Sequence, residues 1–160
     1  MSTPRRGAAA VLLRPMERAE APAAAAVLID ARQAAARAAL MPWPLHPAAD
    51  VEQWFVEVVA AQREVWVGEV SSRLVAVLVL DTEFLDHLYV LPDYAVGGIG
   101  TSLVELAKAL RPRGFGLWVF AANTAARALY ESMGMVAVEH GDGSGNEEGA
   151  ADVRYAWRPR

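Results

Sequence analysis

The chain has 160 residues, 54% of them hydrophobic, which suits one domain with a real core and argues against disorder. A net charge of −4 argues against nucleic acid as a partner. With no cysteine, disulfides, thiol nucleophiles and thiolate metal sites are excluded, and His46, His87 and His140 show no metal-ligand spacing.

In chain order, Arg5 and Arg6 precede a short apolar run, Ala8 to Leu13, that ends in Arg14-Pro15 with Glu17 close behind. That run is too short for a secretory signal. Residues 1–9 therefore read as a disordered tip, and residues 10–160 as one domain. Ala10 to Arg14 reads as a first strand. Ala19 to Leu40 has Val27, Leu28, Ala31, Ala35 and Leu40 at helical spacing, with Pro22 in its first turn. Met41 to Pro47, with three prolines, breaks that helix. Asp50 with Gln53 forms a capping box for a second helix, whose apolar face is Trp54, Phe55, Val58 and Val59.

Glu64 to Val70 and Arg73 to Leu80 read as strands joined at Ser71-Ser72. The second is apolar enough for a central position. A strand from Phe84 to Leu91 follows. Leu103, Leu106, Ala107 and Leu110 then repeat at helical spacing. Phe115 to Ala121 is another buried strand. Asn123 caps a helix that runs to Met133 and ends at Gly134. Met135 to Glu139 and Asp152 to Trp157 are the last strands, separated by a polar glycine-rich loop. No stretch reaches the ~18 apolar residues of a membrane span, so the expectation is a cytoplasmic protein without a membrane partner.

The centre of this pattern is Leu88-Tyr89-Val90-Leu91-Pro92-Asp93-Tyr94-Ala95-Val96-Gly97-Gly98-Ile99-Gly100-Thr101. A strand, a glycine turn and a helix N-terminus make a site for an anionic phosphate, because the first-turn N–H groups have no intrahelical partner. No Gly-Lys-Ser/Thr ending is present, which argues against a nucleotide triphosphate loop. The dinucleotide fingerprint fails at Leu103, where its third glycine would stand.

This segment resembles the cofactor loop of the GNAT superfamily of acetyl-CoA-dependent N-acetyltransferases. Leu88 to Pro92 and Gly98-Ile99-Gly100 match that family's strand and loop. Ala95 stands where Gln or Arg is usual, and Gly97 where a basic residue is frequent, so charged contacts to a pyrophosphate are missing. Asn123-Thr124-Ala125-Ala126-Arg127-Ala128-Leu129-Tyr130-Glu131-Ser132-Met133-Gly134-Met135 matches a second family pattern, with Met135 in place of Phe. Together the motifs cover about a third of the chain. The resemblance implies an α/β (α+β type) fold: a mixed, mostly antiparallel sheet of about seven strands flanked by helices, with strands four and five splayed apart. It also implies a bacterial enzyme that moves acetyl from acetyl-CoA to a primary amine of a small molecule, by direct attack in a ternary complex. Members are often dimers, so a homodimer is an expectation of the resemblance.

The resemblance implies roles residue by residue. The backbone of the strand Leu88-Tyr89-Val90 would pair with the acetyl and pantetheine amides. The loop Ala95, Val96, Gly97, Gly98, Gly100 and Thr101 would hold the pyrophosphate. Asn123 would bond to the pantetheine arm and Arg127 would reach the phosphates. Tyr130 matches the general acid that protonates the departing sulfur. For the base, Asp86 and Glu83 face opposite sides of a regular strand, so only one faces the cleft unless a bulge intervenes. Asp86 shares parity with Leu88 and Val90 and is favoured. His87 competes, with an ordinary pKa suited to the work. The acceptor site would use Trp43 as a wall and Asn146, Glu147 and Glu148 as an acidic lure for a cationic amine. Two rival readings stand beside this one: a domain that binds acyl-CoA without turnover, and a transferase of a longer acyl chain.

Overall fold

The computed structural model describes residues 10–160, and the expected disordered tip at 1–9 lies outside them. Seven strands form two antiparallel sheets. The first has the order β1 (Leu12–Pro15), β2 (Glu64–Val70), β3 (Arg73–Leu80), β4 (Leu85–Val90). The second has the order β5 (Phe115–Phe120), β7 (Asp152–Trp157), β6 (Val136–Gly141). The helices are α1 (Ala21–Arg37), α2 (Ala48–Trp54), α3 (Ala60–Gln62), α4 (Ile99–Leu110) and α5 (Thr124–Ser132). This is the expected α+β architecture of seven strands flanked by helices.

β3 is the centre of the first sheet. Its six residues from Val75 to Leu80 are all buried, so the strand is covered on both faces, as its apolar run suggested. α1 packs on β3 and β4 through Ala24, Ala25, Leu28 and Ala31. α4 packs on the same strands through Leu103, Val104 and Ala107. The short alanine side chains let α1 approach the sheet closely.

Four local expectations are corrected. α1 ends at Arg37 rather than Leu40. Ala39 takes a left-handed conformation (φ +57°), and the Leu40 N–H donates to the Ala35 carbonyl at 2.9 Å, which closes the helix ahead of Pro42. The second helix begins at Ala48 with Pro47 at its cap, so Asp50 and Gln53 form no capping box. The N–H groups of Asp50 and Val51 instead donate to the Pro47 carbonyl. Between α2 and α3 the chain widens into a π-turn at Phe55–Val59. That turn buries Phe55 and Val59 and leaves Trp54 and Val58 each 39% exposed. The strand β6 starts at Val136 rather than Met135 and reaches Gly141, with a bulge at Val138.

Among the described residues, one β-bridge joins the two sheets. Phe84 bridges Gly116 in parallel sense, and the Gly116 N–H donates to the Glu83 carbonyl at 2.9 Å. Gly116 has no side chain because the Phe84 ring lies against it: a Cβ there would come 3.2 Å from Phe84 Cε1. Beyond this bridge β4 and β5 diverge. That is the splay the sequence resemblance implied.

Candidate active site

The gap between β4 and β5 is a cleft of about 300 Å³ that passes between the two sheets. One wall is β4 from Leu85 to Val90, and the other is β5 from Leu117 to Phe120. Its mouth on one side is lined by Ala31 and Ala35 of α1, by Leu40 and Met41, and by Asn146 and Asp152. On the α5 side it is lined by Asn123, Ala126 and Tyr130. Past the Phe84 bridge, the edge of β4 facing β5 has no partner strand among the described residues. Its N–H and C=O groups there need hydrogen-bond partners from elsewhere.

The glycine loop follows at the end of β4. Pro92–Tyr94 makes one tight turn, and Ala95, Val96, Gly97 and Gly98 are all exposed, Val96 almost fully at 98%. Gly98 is the cap of α4, with a left-handed backbone (φ +86°) and no side chain covering the helix end. A Cβ placed on Gly97 or Gly98 would meet no protein atom within 4 Å, so this end of the helix is open. The Ser102 N–H is the first to find an intrahelical carbonyl, that of Gly98, at 2.9 Å. The amides of Ile99, Gly100 and Thr101 precede it, at the positive end of the helix dipole. Gly100 has a packing reason as well, since a Cβ there would lie 3.1 Å from Leu129 of α5. An anionic phosphate therefore fits this loop, even though Ala95 and Gly97 supply no charge.

Asn123 caps α5. Its Oδ1 accepts the Ala126 N–H at 3.2 Å, and the residue also lines the cleft. Tyr130 is 6% exposed in the core of α5, with its ring 6.1 Å from that of Tyr155. Burial, with a smaller push from Tyr89, holds the Tyr130 phenol well above the usual range, so it keeps its proton at neutral pH. Tyr89 is raised in the same way, mainly by burial.

Arg127 points elsewhere. Its Nε donates to the Tyr155 hydroxyl at 3.0 Å and its Nη1 to the Ala121 carbonyl at 3.1 Å. The Tyr155 hydroxyl in turn donates to Glu131. Arg127 thus ties α5 to β7 and is not presented to the phosphate loop.

The base candidates separate by position. Glu83 is not in the cleft. It lies on the far side of the Phe84 bridge, in a second cavity lined by Arg111, Arg113 and Arg158. Asp86 is the extra residue of a β-bulge, because Leu80 pairs with Leu85 while Val79 pairs with His87. The parity argument therefore does not hold. Asp86 and His87 share a small cavity of about 110 Å³ with Trp54 and Arg63. The Arg63 Nε donates to Asp86 Oδ2 at 2.9 Å. His87 lies edge-on to Trp54 and stacks on Tyr89. Burial, helped by the charges of Arg32 and Arg63, pushes its pKa down to about 4. It is neutral at physiological pH and a weak base.

The acidic loop reaches back to α1. Glu147 accepts from His46 at 2.9 Å, and Glu148 pairs with Arg32 at 3.8 Å. Together with Asp50 and Trp54 these residues line a cavity of about 390 Å³. Asn146 braces the loop: its Nδ2 donates to the Ala150 carbonyl at 2.7 Å and to Asp152, and its Oδ1 accepts from the Ala150 N–H. Trp43 is 59% exposed and stands outside the cleft lining. Arg32, Trp54 and Arg63 were not singled out from the sequence. Arg32 had a signal: it is the one charge between the buried positions Ala31 and Ala36 of an alanine-rich helix.

Among the described residues, no helix is long and apolar enough to cross a membrane, and no group of three acids or histidines is placed to hold a metal.

The model of the acetyltransferase (GNAT) family matches residues 28–135. The [ribosomal protein]-alanine N-acetyltransferases of Escherichia coli and Shigella flexneri are 42% identical to this chain over 71 residues, 42% of it and 48% of theirs. The match thus spans about half the length of those curated relatives. Among solved structures, apo-form YjaB from Escherichia coli superposes with a TM-score of 0.72 at 18% identity, covering 92% of this chain and 97% of that one. The PaiA N-acetyltransferase of Thermoplasma acidophilum, in complex with coenzyme A, gives 0.71 at 15%, with 94% and 99% covered. The ribosomal-protein-alanine N-acetyltransferase of Brucella melitensis gives 0.69 at 21%, with 92% and 99% covered. At these identities the structural likeness speaks for the fold alone. The family match extends over more than half the chain and includes the splayed strands, the open glycine loop and Tyr130: this chain belongs to the GNAT acetyltransferase family.

Proposed function

We propose that the protein transfers the acetyl group of acetyl-CoA to a primary amine, with both substrates bound at once. The observation that carries this reading is the cleft itself. Two unpaired strand edges face each other across it, with an open helix N-terminus at one end and a proton-bearing phenol inside. Acetyl-CoA brings an activated thioester. The amides of Gly98, Gly100 and Thr101 bind its pyrophosphate, with Gly97 and Val96 shaping the turn. The free edge of β4, at Leu88, Tyr89 and Val90, pairs with the amides of its arm and orients the acetyl group. Asn123 uses its Oδ1 as a cap and keeps its Nδ2 for that arm. Tyr130 holds a proton for the departing sulfur, because its burial keeps the phenol neutral until strong negative charge develops.

The amine enters from the α1 side and must lose a proton. Asp86, on the β4 wall of the cleft, takes that proton through water while Arg63 fixes its carboxylate. The acceptor is read as a small molecule carrying a primary amine, drawn by Glu147 and Glu148. A second reading, the N-terminal amine of a polypeptide, is favoured by curated relatives that act on an alanine of a ribosomal protein.

The test is a thermal-shift titration with acetyl-CoA, CoA and ATP side by side, followed by thiol release on adding amines. Stabilisation by acetyl-CoA and CoA but not ATP, with amine-dependent thiol release, is the expected result. Binding without release would leave a non-catalytic acyl-CoA domain. No shift at millimolar ligand would sink the site assignment.

A further inference from the structure

The chain is acidic overall, yet it contains two Arg-Pro-Arg tripeptides, Arg111-Pro112-Arg113 and Arg158-Pro159-Arg160. They lie 45 positions apart in the numbering, and the fold brings them together. The first leads into β5 and the second leaves β7, and these strands pair with Phe115 opposite Trp157. Gly114, at φ +113°, lets the two segments close on each other. A Cβ there would come 2.5 Å from the Trp157 carbonyl oxygen and 3.4 Å from Arg158 Cγ, so the Arg158 stem crosses the loop right beside Arg113.

These residues rim the cavity of about 490 Å³ that lies across the Phe84 bridge from the cleft. Its floor is flat because Gly116 and Ala156, directly opposite each other on β5 and β7, carry little or no side chain. The Phe84 ring stands against Gly116 and forms a wall. A flat strip beside an aromatic ring takes a planar ring.

Four guanidiniums surround that floor, those of Arg111, Arg113, Arg154 and Arg158, against one acid, Glu83. Arg111 pairs with Glu64 at 3.2 Å and Arg154 with Glu139 at 3.0 Å. Arg113 and Arg158 are exposed and belong to no ion pair among the described residues. Two adjacent guanidiniums without carboxylates call for an anion of more than one charge. A phosphate monoester carries about 1.5–2 negative charges at neutral pH and accepts forked hydrogen bonds from arginine. The cavity has the size of a small-molecule site, and the chain's net negative charge works against a long polyanion.

We propose that this cavity is a second ligand site, for a nucleoside monophosphate. The base lies on the Gly116–Ala156 floor against Phe84, and the phosphate lies between Arg113 and Arg158. Glu83 offers an acceptor to the ribose hydroxyls. The site is independent of the acetyltransferase reading, since it shares no residue with the cleft or the glycine loop.

The test is equilibrium titration of the full chain with AMP, GMP, adenosine, inorganic phosphate and a ten-residue oligouridine, alongside CoA. At least one mononucleotide should bind about tenfold or more tighter than adenosine or phosphate alone. Arg113→Gln and Arg158→Gln should each weaken it by about 10- to 100-fold and leave CoA affinity and Tm unchanged. In amide NMR spectra, the mononucleotide should move Gly114, Gly116 and Ala156 and leave Gly98 and Gly100 in place. No mononucleotide binding at millimolar concentration, or binding indifferent to both arginines, would overturn the proposal. Shifts confined to Gly98 and Gly100 would place the nucleotide at the glycine loop and overturn it too. Phosphate binding as tightly as the nucleotide would remove the base floor. Oligouridine binding more tightly than either mononucleotide would make this pole a nucleic-acid surface. Either result overturns the nucleotide assignment. Loss of CoA binding in the wild type, with the mononucleotide results intact, would count against the acetyl-CoA reading alone.

Discussion

Replacing Gly98 by alanine separates the two jobs of that residue. Gly98 is the cap of α4 at φ +86°, a region that costs an L-residue about 1–2 kcal/mol. The added methyl meets no protein atom within 4 Å, so the backbone term is the whole stability cost. For a chain of this size that cost lowers Tm by about 2–8 °C. The methyl does project from the open helix end, where the pyrophosphate is proposed to lie. Displacing a charged ligand from one or two amide donors weakens it by about 10- to 100-fold. Gly134 is a matched control at the end of α5: its φ is +82°, and a Cβ there also meets nothing within 4 Å. The assay is thermal melting and CoA titration of Gly98→Ala and Gly134→Ala in parallel. Both should lose similar Tm, and only Gly98→Ala should lose CoA affinity. Equal CoA affinity in the two variants would refute the phosphate assignment of the loop.

Tyr130→Phe should lower turnover by about 10²- to 10⁴-fold and leave the acetyl-CoA dissociation constant nearly unchanged; an unaltered rate removes it as the acid. Asp86→Asn should flatten the limb of the pH–rate profile that rises towards alkaline pH, and a surviving limb would move the base elsewhere. His87 titrates near 4 in the folded chain against 6.5 unfolded, so the unfolded chain binds the extra proton in that window. Stability should be full above pH 6.5 and fall by up to about 1.4 kcal/mol per unit as pH drops towards 4. His87→Asn should remove that component of the acid-side decline in urea-melt stability, and an unchanged slope would refute it. Ala39→Gly should raise stability by about 0.5–1 kcal/mol, because φ +57° strains alanine and suits glycine; a loss in thermal melts would show that its methyl matters more.

Much of the fold was legible because its signals are local. The apolar run Val75 to Leu80 announced a central strand, Gly134 a helix end and Asn123 a helix cap, each set by a few neighbouring residues. The cap expected from Asp50 and Gln53 failed because Pro47, with its fixed φ, started the helix earlier. Asp86 does line the cleft, but strand parity did not put it there, because parity assumes a regular ladder and the bulge at Asp86 breaks it. Arg127 was singled out by its motif position, Glu83 by its place beside the fourth strand and Trp43 by its helix connection, and their surroundings gave each a place outside the cleft.

Two motifs in the sequence pointed to the family and local patterning gave the element order, since strand runs, glycine turns and helix ends depend on short stretches of chain. Only the tertiary structure decided which side chains meet between α1, β4 and the last loop. Arg32, Trp54, Arg63, Asp86 and Glu148 come from α1, α2, the chain just before β2, β4 and the last loop, up to 116 positions apart between Arg32 and Glu148 in the numbering. The ion pairs and cavities there exist only once β4 and β5 part and the loop folds back on α1.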